Sequence, residues 1–537
     1  MKQKFKTDSA LTPFRYPIFR MLWIASVVSS IGTWMHEVGA AWLMTSLTSD
    51  PLLVALIQGM SSFSIFLLAL PAGAFADIIN KRLYLIFLQS YMMIIAGILA
   101  VVTFLGAMTP NFLLFLTFCL GAGNALSAPT WLALMSELVP PKHMTSAVTL
   151  IGVNINLSRA IGPALGGLII AAAGPAAVFA INALSFFGII ISLFGWQRAT
   201  NDSSLPAERL IGAMKASLRY VKGSPALQTL LLKSCAFFVF ASGVWALLPL
   251  VARTQLQIGP LGYGVLFACL GLGAVIGAFF LPRFRKNLNC DQLIFMGAIG
   301  FSITAFIIAL TKDFYFACGA MVLGGVSWIA VLATLTTLIQ QVVPSWVRAR
   351  AISVFLAIFF GGMALGSVVW GGIASHLTIS ISLLISSIGL IIANFLTYAF
   401  TSGQKLIFDQ TPSGRSPAPV VEDAPRYDEG PVMVTVEYFV NRDQIDDFSC
   451  VMKSLRRIRL RDGAFFWNLF QDIEDRKKFI ECFMIESWLE HLRQHERISI
   501  SDHQIIGQAG SFHEGKDPPR VSHFIARDLP KRRRKKY

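Results

Sequence analysis

The sequence predicts an all-α membrane protein with twelve transmembrane helices in two six-helix repeats, followed by a small soluble α+β domain. Its composition is typical of a polytopic membrane protein, with a mean hydropathy of +0.62, 55% hydrophobic residues and only 14% charged residues. Twelve apolar stretches are long enough to cross a bilayer core of about 30 Å, which needs about 20 helical residues. Residues of the first six stretches recur in the last six at a constant offset.

The twelve predicted spans fall into two groups of six, separated by a polar central loop. They cover residues 21–47, 52–76, 83–106, 112–136, 147–173, 176–196, 227–252, 261–282, 291–311, 314–340, 350–376 and 378–401. Their short connections favour antiparallel helices with no irregular backbone exposed to lipid. The predicted N-terminal half is therefore 1–196, the central loop is 197–226, and the C-terminal half is 227–401.

The two halves repeat one plan at an offset of 204 residues. Gly73-Ala74-Phe75 recurs as Gly277-Ala278-Phe279, and Lys81-Arg82 recurs as Arg285-Lys286. Internal repeats of this kind organise secondary transporters. Three positions differ in kind between the copies: Asp77, Arg159 and Pro163 in the first, and Leu281, Met363 and Ser367 in the second. We therefore expect the polar and gating chemistry in the first half, with the second half as the scaffold against which it moves.

The basic residues of the short loops indicate the orientation in the membrane. On the face that holds the N-terminus, the loops carry thirteen of them: Lys81, Arg82, Lys142, Arg198, Arg209, Lys215, Arg219, Lys222, Arg283, Arg285, Lys286, Arg348 and Arg350. The loops of the other face carry only Arg253 and Lys312. The positive-inside rule then predicts that both termini and the central loop are cytoplasmic. We expect no cleavable signal, because the first span is too long and belongs to the repeat.

The formal charge of +15 comes largely from these loops and from the tails. The basic run from Lys531 to Lys536 has two interpretations, a nucleic-acid contact or a solvated, lipid-facing tail, and the second is favoured. We therefore expect no nucleic-acid partner. The seven cysteines form no CxxC pair, and most lie in predicted helices. The sequence thus predicts neither a disulfide framework nor a cysteine zinc site.

After residue 401 the sequence becomes polar. Residues 402–430 are rich in proline, glycine and serine, which is typical of a flexible cytoplasmic linker. Residues 431–526 then alternate between strand and helix patterns, with strands at 432–440, 464–471, 479–485 and 521–526 and helices at 443–459, 487–496 and 502–509. This β-α-β-β-α-β order predicts a ferredoxin-like domain of about 95 residues, small enough to favour dimerisation through its sheet. Residues 527–537 form a basic tail.

Glu37 is an ionisable residue well inside the first predicted span. A charged side chain at membrane depth costs roughly 3 kcal/mol on insertion scales, so it needs a partner or a wet cavity. Glu37 is therefore the leading candidate for the group that binds and releases a proton, and a structural ion pair or hydrogen bond is the alternative. His36 is a second candidate, although adjacent side chains point about 100° apart on a helix.

Arg159 lies near the middle of the fifth predicted span and shares a helix face with Pro163. It is a candidate partner for Glu37 or for an anionic substrate, and the alternative is a packing role in which it bonds backbone carbonyls. Asn124 and Asn154 are further candidates for the proton or substrate path. Buried amides in membrane helices also commonly join one helix to another.

The loop after the second span resembles the signature of the major facilitator superfamily, G-x-x-x-D-R-x-G-R-R. It keeps Gly73, Asp77 and the basic pair Lys81-Arg82, but departs at positions 78 and 80, where the signature has arginine and glycine. The resemblance implies the major facilitator fold with twelve transmembrane helices. It also implies that Asp77 and the basic residues, including Arg285 of the second copy, latch the two halves on the cytoplasmic side. A solvated loop residue is the alternative role for Asp77.

The fifth span resembles the proton-antiporter pattern of exporters, G-x-x-x-G-P-x-x-G-G. Gly162, Pro163, Gly166 and Gly167 match it, and Ser158 replaces the first glycine. Without the resemblance, this run is ordinary close-packing helix bent by a proline. The fourth span lacks the arginine found in such exporters, so an arginine of that span cannot be the proton relay, and attention moves to Glu37 and Arg159.

Three segments resemble a bacterial branch of the superfamily that includes the enterobactin exporter and the transmembrane secretion effector proteins. They are Ile31–Met35, Arg159–Pro163 and Glu486–Arg497. The similarity covers nearly the whole chain. It implies a proton-coupled exporter of a siderophore, drug or metabolite in the bacterial cytoplasmic membrane. An importer or facilitator of the same fold is the alternative, which the glycine-proline run disfavours.

A third hypothesis is a membrane-anchored enzyme that acts through the soluble domain. Its predicted fold resembles dimeric α+β barrels, some of which are cofactor-free monooxygenases, and catalysis would involve these residues: Trp467, Asn468, His491, His495 and His503. His491 and His495 are four residues apart, a spacing that can hold a metal, but their charged neighbours favour a salt-bridged surface. We expect no catalytic residues, metal or cofactor here, and a domain that serves dimerisation or regulation.

Overall fold

A computed structural model describes residues 11–78, 80–195, 220–401, 429–497, 499–515 and 517–526. Within this part of the chain, twelve helices are long and apolar enough to cross a membrane, which confirms the predicted number. They are α1 Pro17–Leu47, α2 Pro51–Ile78, α3 Lys81–Phe104, α4 Pro110–Glu137, α5 Met144–Ala173, α6 Pro175–Phe194, α7 Pro225–Leu250, α8 Pro260–Asn287, α9 Cys290–Leu310, α10 Phe314–Val342, α11 Ser345–His376 and α12 Ile379–Thr401. Residues 197–219 of the predicted central loop, 402–428 of the predicted linker and the tail at 527–537 lie outside the described residues.

Proline explains why several helices begin a few residues earlier than hydropathy predicts. Six helices have proline as their first residue: Pro17, Pro51, Pro110, Pro175, Pro225 and Pro260. The ring fixes φ at a helical value, and the N–H that proline lacks would have no partner in the first turn. Each helix therefore extends beyond its apolar core to the nearest proline.

The described residues form two compact units. The first comprises 11–195, 231–337 and 353–401, and the second comprises 220–230, 338–352 and the soluble domain. In the first unit α1 packs on α5 and α6, α2 on α4, α3 on α6, and α9 on α12. The contact between α5 and α8 joins the two halves. There Gly167 lies so close to Pro260 and Gly264 that no side chain fits at this position, which is how small residues bring membrane helices together.

The soluble domain contains a four-stranded antiparallel sheet and three helices. The elements are β1 Val432–Phe439, α13 Ile445–Arg461, β2 Ala464–Gln471, β3 Lys478–Ile485, α14 Trp488–Arg497, α15 Ile500–Ser511 and β4 Arg520–Ile525. The sheet order is β2-β3-β1-β4. Alternate residues of β1 from Val432 to Tyr438 are buried on one face, where α13 contributes Phe448, Met452 and Leu455 to the core. A small sheet domain therefore exists where the sequence predicts one.

The second unit also contains a contact between the soluble domain and the end of the central loop. Arg461, at the end of α13, bonds Asp462 at 2.7 Å and Asp502 at 2.7 Å. Its guanidinium also lies over the ring of Tyr220, 5.6 Å from the centroid, and its side chain packs against Gly223. Burial opposes the charged form, but the two carboxylates hold the pKa of Arg461 well above its usual range. Arg461 therefore joins residues 220–223 to the domain as a paired cation.

Candidate functional site

A cavity of about 340 Å³ lies between the two halves of the membrane unit. Its walls come from α1, α2, α4 and α5 on one side and from α7, α8, α10 and α11 on the other. The charged and amide residues all belong to the first half: Glu37, Gln58, Asn124 and Arg159. The second half supplies a mainly aromatic wall: Trp245, Tyr263, Phe267, Trp328, Phe359 and Phe360. A cavity of this size and lining is suited to a small molecule.

Glu37 lies in this cavity and has one weak hydrogen-bond donor. The hydroxyl of Ser61 on α2 lies 3.3 Å from Oε1 and 3.5 Å from Oε2. Among the described residues, no cation forms an ion pair with Glu37. The structural ion pair that was the alternative role for Glu37 is therefore not formed within that part of the chain. The carboxylate is therefore held loosely and is open to a ligand or a proton from the cavity.

Arg159 lines the same cavity from α5, and its guanidinium lies 5.3 Å from the centroid of the Trp34 ring. Its buried Nε has no hydrogen-bond acceptor among the described residues. The indole N–H groups of Trp245 and Trp328 on the opposite wall are likewise buried and without acceptors in that part of the chain. Buried donors without acceptors cost roughly 1–3 kcal/mol each, so a ligand that supplies acceptors would be favoured.

Two predicted site residues lie outside the cavity lining. His36 is 1% exposed and packs against the Phe179 ring at 4.7 Å, so the turn of the helix separates it from Glu37. Asn154 donates to the Ser26 hydroxyl at 2.8 Å and accepts from the Ser158 hydroxyl at 3.1 Å. This network links α1 to α5, which is the helix-joining role that buried amides commonly have.

The glycine-proline run of α5 forms a packing seam rather than a binding surface. Gly162 lies against Trp34 and Gly166 against Met35, both on α1. Gly167 and the carbonyl of Pro163 contact Gly264 on α8. Through this run, α5 packs closely against α1, which carries Glu37, and against α8 of the second half. Any rearrangement of the halves must involve this seam.

Two of the predicted gating residues, Arg82 and Arg285, bond within their own halves. Arg82 donates to the carbonyl oxygens of Leu193 and Phe194 at the end of α6, at 2.9 and 2.7 Å. Arg285 donates to the Ala333 carbonyl at 3.2 Å and to the Thr337 hydroxyl at 3.3 Å, both on α10. These bonds do not cross between the halves. Lys81 is the first residue of α3, and the surroundings of Gly73 and Asp77 lie outside the described part of the chain.

Contacts that do cross between the halves occur at the α1–α2 end of the bundle, and sequence reasoning missed them. The Ser375 hydroxyl of α11 donates to Asp50 at 2.6 Å. Arg253, in a π-helical turn after α7, donates to the Thr45 hydroxyl at 3.0 Å and lies over the Trp42 ring at 5.8 Å. The only sequence signal was Arg253 itself, an isolated arginine on a face with few basic residues. These contacts join α1 and the start of α2 to the second half.

The profile of the transmembrane secretion effector family matches residues 8–531. The chain belongs to this family. The match includes the soluble domain as well as the twelve helices. This family is a branch of the major facilitator superfamily and its curated relatives are transporters, so the chain is a membrane transporter of that superfamily.

Curated relatives of this chain are exporters. The enterobactin exporter EntS of Salmonella typhi is 23% identical over 403 residues, which covers 74% of this chain and 95% of the relative. EntS of Citrobacter koseri is 22% identical over 416 residues, which covers 76% of this chain and 96% of the relative. These are bacterial proteins, and its twelve apolar helices make this chain a multi-pass membrane protein.

Solved structures of the same fold include other facilitator transporters. A bacterial homolog of the human lysosomal transporter Spinster, in an inward-facing and occupied conformation, matches with a TM-score of 0.60 and 16% identity over 74% of this chain and 99% of that one. The nucleoside transporter NupG, in a mutant form, matches with a TM-score of 0.59 and 12% identity, over 71% of this chain and 99% of that one. At these identities the likeness establishes the fold alone.

The soluble domain contains a second polar cluster, buried between its sheet and its helices. Glu481 of β3 is fully buried and accepts from Arg459 at 3.1 Å, from the Trp467 indole at 2.9 Å and from the Tyr438 hydroxyl at 3.4 Å. Burial opposes the charged form of Arg459, yet Glu481 beside it raises the pKa of that guanidinium. A network with every member bonded fixes the position of α13 on the sheet.

The residues of the enzyme hypothesis do not converge on one site. Trp467 reaches Glu481, but Asn468 is paired with Cys482 on the opposite face of the sheet, and His503 lies on α15. His491 and His495 do approach each other, with their Nε2 atoms 3.4 Å apart. Burial, with smaller contributions from neighbouring charges, lowers the pKa of His491 to about 3 and that of His495 to about 4. Both imidazoles are therefore uncharged at neutral pH.

Proposed function

We propose that this protein exports a small molecule across the bacterial cytoplasmic membrane by alternating access, in exchange for protons. The observation that carries the proposal is the cavity between the halves, in which Glu37 and Arg159 are both without an ion-pair partner among the described residues. Midplane sites at the interface of two repeats are typical of secondary transporters. The exporter names of the curated relatives support outward transport.

The cavity favours a planar, largely apolar cargo with a few polar substituents. Its aromatic wall suits stacking, and the free donors of Arg159, Trp245 and Trp328 suit acceptor groups on the ligand. Glu37 is the acceptor for a donor group on the ligand. The cargo therefore belongs to the siderophore, drug or metabolite type of molecule, with an aromatic part that carries both donor and acceptor groups.

Exchange of ligand for protons follows because the ligand and a proton compete for the Glu37 carboxylate. A ligand that donates a hydrogen bond to Glu37 favours its ionised form, and a proton on Glu37 removes that acceptor. Ligand and proton then bind in turn. Ligand leaves on the outer side as a proton arrives from outside, and the proton is released inside as the next ligand binds. Glu37 is the coupling residue in this scheme, and Arg159 holds the ligand without titrating.

The test is a flux measurement in two steps. Growth of an overexpressing strain is compared with that of an empty-vector strain on a panel of toxic planar aromatic compounds, and accumulation of the protected compound is then measured in whole cells. We expect less accumulation with the transporter, and proton release from everted vesicles when the compound is added. Greater accumulation of the compound would identify an importer. Equal rates of compound flux in both directions, without proton movement, would identify a facilitator.

We predict that Arg159→Met weakens ligand binding without uncoupling transport. Loss of a charged hydrogen bond in a desolvated site is worth about 1.5–3 kcal/mol, so the KM for export should rise roughly tenfold or more. The methionine preserves the length and the apolar stem that packs beside Trp34. Export rates over a concentration series measure the change, with Arg159→Lys as the charge-preserving control. An unchanged KM in the methionine variant would contradict direct contact with the ligand.

The proposed arrangement has both termini in the cytoplasm, halves at 1–196 and 227–401, a loop at 197–226, a linker at 402–430, a soluble domain at 431–526 and a tail at 527–537. In this arrangement the gating residues of the cytoplasmic side include Gly73, Asp77, Lys81, Arg82 and Arg285. The strand order of the soluble domain and its helices on one face support a ferredoxin-like assignment. Fluorescence of a C-terminal fusion and phosphatase fusions to the α1–α2 loop test the orientation.

We predict that two chains associate through the open face of this sheet. One row across all four strands is apolar and lies opposite the helices: Phe466, Met484, Met433 and Phe524. Phe524 is 49% exposed and Phe466 is 37% exposed, which favours burial against a second copy. Met484→Lys in the full chain should convert dimers to monomers in light scattering, whereas Lys477→Met, in the exposed turn before β3, should not. A monomeric wild type would contradict the prediction.

A further inference from the structure

Three histidines of the soluble domain converge on one point between α14 and the sheet. His491 and His495 lie one turn apart on α14, and His523 lies on β4. One ring nitrogen from each lies within 4.8 Å of those of the other two. His523 was not a candidate in the sequence because it is far along the chain from the other pair.

The fold explains why these rings meet. His523 is paired with Val434, whose side chain is buried in the core, so His523 lies on the helix-covered face of the sheet. His491 is 1% exposed, and its ring centroid lies 4.8 Å from that of His495 and 4.8 Å from that of His523. Trp488 packs against His491 at 5.3 Å and shields the group from solvent.

Hydrogen bonds hold this group of rings only weakly, because the Nε2 atoms of His491 and His495 that face each other are 3.4 Å apart. The buried Nδ1 atoms of His491 and His495 have no hydrogen-bond partner among the described residues. The spacing of the two rings on α14 suits a metal ion, and a ring nitrogen of His523 lies within 4.8 Å of both. A tetrahedral zinc ion bound at about 2.0–2.1 Å separates its nitrogen ligands by about 3.3–3.4 Å. The Nε2 atoms of His491 and His495 are 3.4 Å apart.

We propose that His491, His495 and His523 bind one divalent transition-metal ion of the zinc class. Three imidazole nitrogens select zinc, cobalt or nickel over magnesium and calcium, which prefer oxygen ligands. The fourth position is left for water. The nearby charge of Arg459 would oppose a cation, but Glu481 neutralises it at 3.1 Å. The ion would connect α14 to β4, so its binding stabilises the soluble domain.

The experiment uses the full chain, purified in detergent with an affinity tag that contains no histidine. After dialysis against zinc chloride and removal of free metal, elemental analysis should give one zinc per chain. We expect His523→Gln and His495→Gln each to lower zinc affinity at least tenfold in competition with a chromophoric chelator. The matched control is His503→Gln on α15, which should bind as the wild type does. Cobalt should give the intense visible absorption of tetrahedral coordination in the wild type and in this control, and not in the other two variants.

A thermal readout separates metal binding from folding. Without metal, the variants should unfold near the wild-type midpoint, and zinc should raise the midpoint of the soluble domain's transition by about 5 °C in the wild type and in His503→Gln. Magnesium should have no effect. A further variant replaces His491, His495 and His523 together with glutamine. The proposal would be overturned if the wild type bound no more zinc than this triple variant, or if zinc raised the unfolding midpoint of both proteins equally.

Discussion

Replacing Glu37 with glutamine is expected to abolish transport driven by a proton gradient while leaving the fold and the ligand exchange intact. Glutamine has the same shape and can still accept from the Ser61 hydroxyl, which lies 3.3 Å from Oε1. It cannot bind or release a proton in the relevant pH range. In everted vesicles the gradient-driven flux should fall by at least about a hundredfold, the lower end of the range for removal of a proton-transferring group.

Two further measurements make the result specific to coupling. Exchange of labelled for unlabelled ligand across the membrane needs binding and alternating access but no net proton movement, so it should persist in Glu37→Gln. The matched control is Asp313→Asn, a carboxylate outside the cavity whose capping bond to the Phe316 N–H asparagine can also make. That variant should transport normally. Full gradient-driven flux in Glu37→Gln would show that another group carries the proton.

The membrane architecture was predictable because lipid leaves the chain few alternatives. Every backbone polar group in a span must be bonded internally, so each crossing is a helix whose length and apolarity appear directly in the sequence. Helix starts were less predictable, since hydropathy ignores the prolines that begin α1 and α7. The small sheet domain was predictable for a similar reason, because the alternation in β1 matches the alternation of buried and exposed side chains.

The candidate site was predictable only where a residue is anomalous for its surroundings. Glu37, Asn124 and Arg159 stand out in apolar spans, and all three line the cavity. Trp245 and Trp328 do not stand out, because a buried tryptophan and a lipid-facing one look alike in a sequence. His36 is equally anomalous, yet one residue of helix rotation turns it toward Phe179. Side-chain direction and long-range pairing, as for His523, are properties of the packed fold.

Substituting alanine for Gly167 is expected to impair transport as severely as loss of the coupling group, for a steric reason. A Cβ atom there would lie 2.5 Å from the carbonyl oxygen of Pro260 and 3.1 Å from the Cα of Gly264. Both obstacles are backbone, so the clash is relieved only if α5 and α8 separate. Because interiors are close-packed, such overpacking typically costs about 1–3 kcal/mol. The conformation in which these helices touch would then be depopulated by roughly 5- to 150-fold.

The matched control is Gly152→Ala on the same helix, where the added methyl group meets no other atom within 4 Å. Alanine is the better helix former by about 1 kcal/mol, so this variant should be as stable as the wild type or more so. Export assays and thermal unfolding of both variants separate the two effects: Gly167→Ala should lose transport, and Gly152→Ala should keep it. If the Gly167→Ala variant transported normally, separating α5 from α8 would have to cost no free energy. The seam between them would then be a passive contact, not the surface on which the halves move.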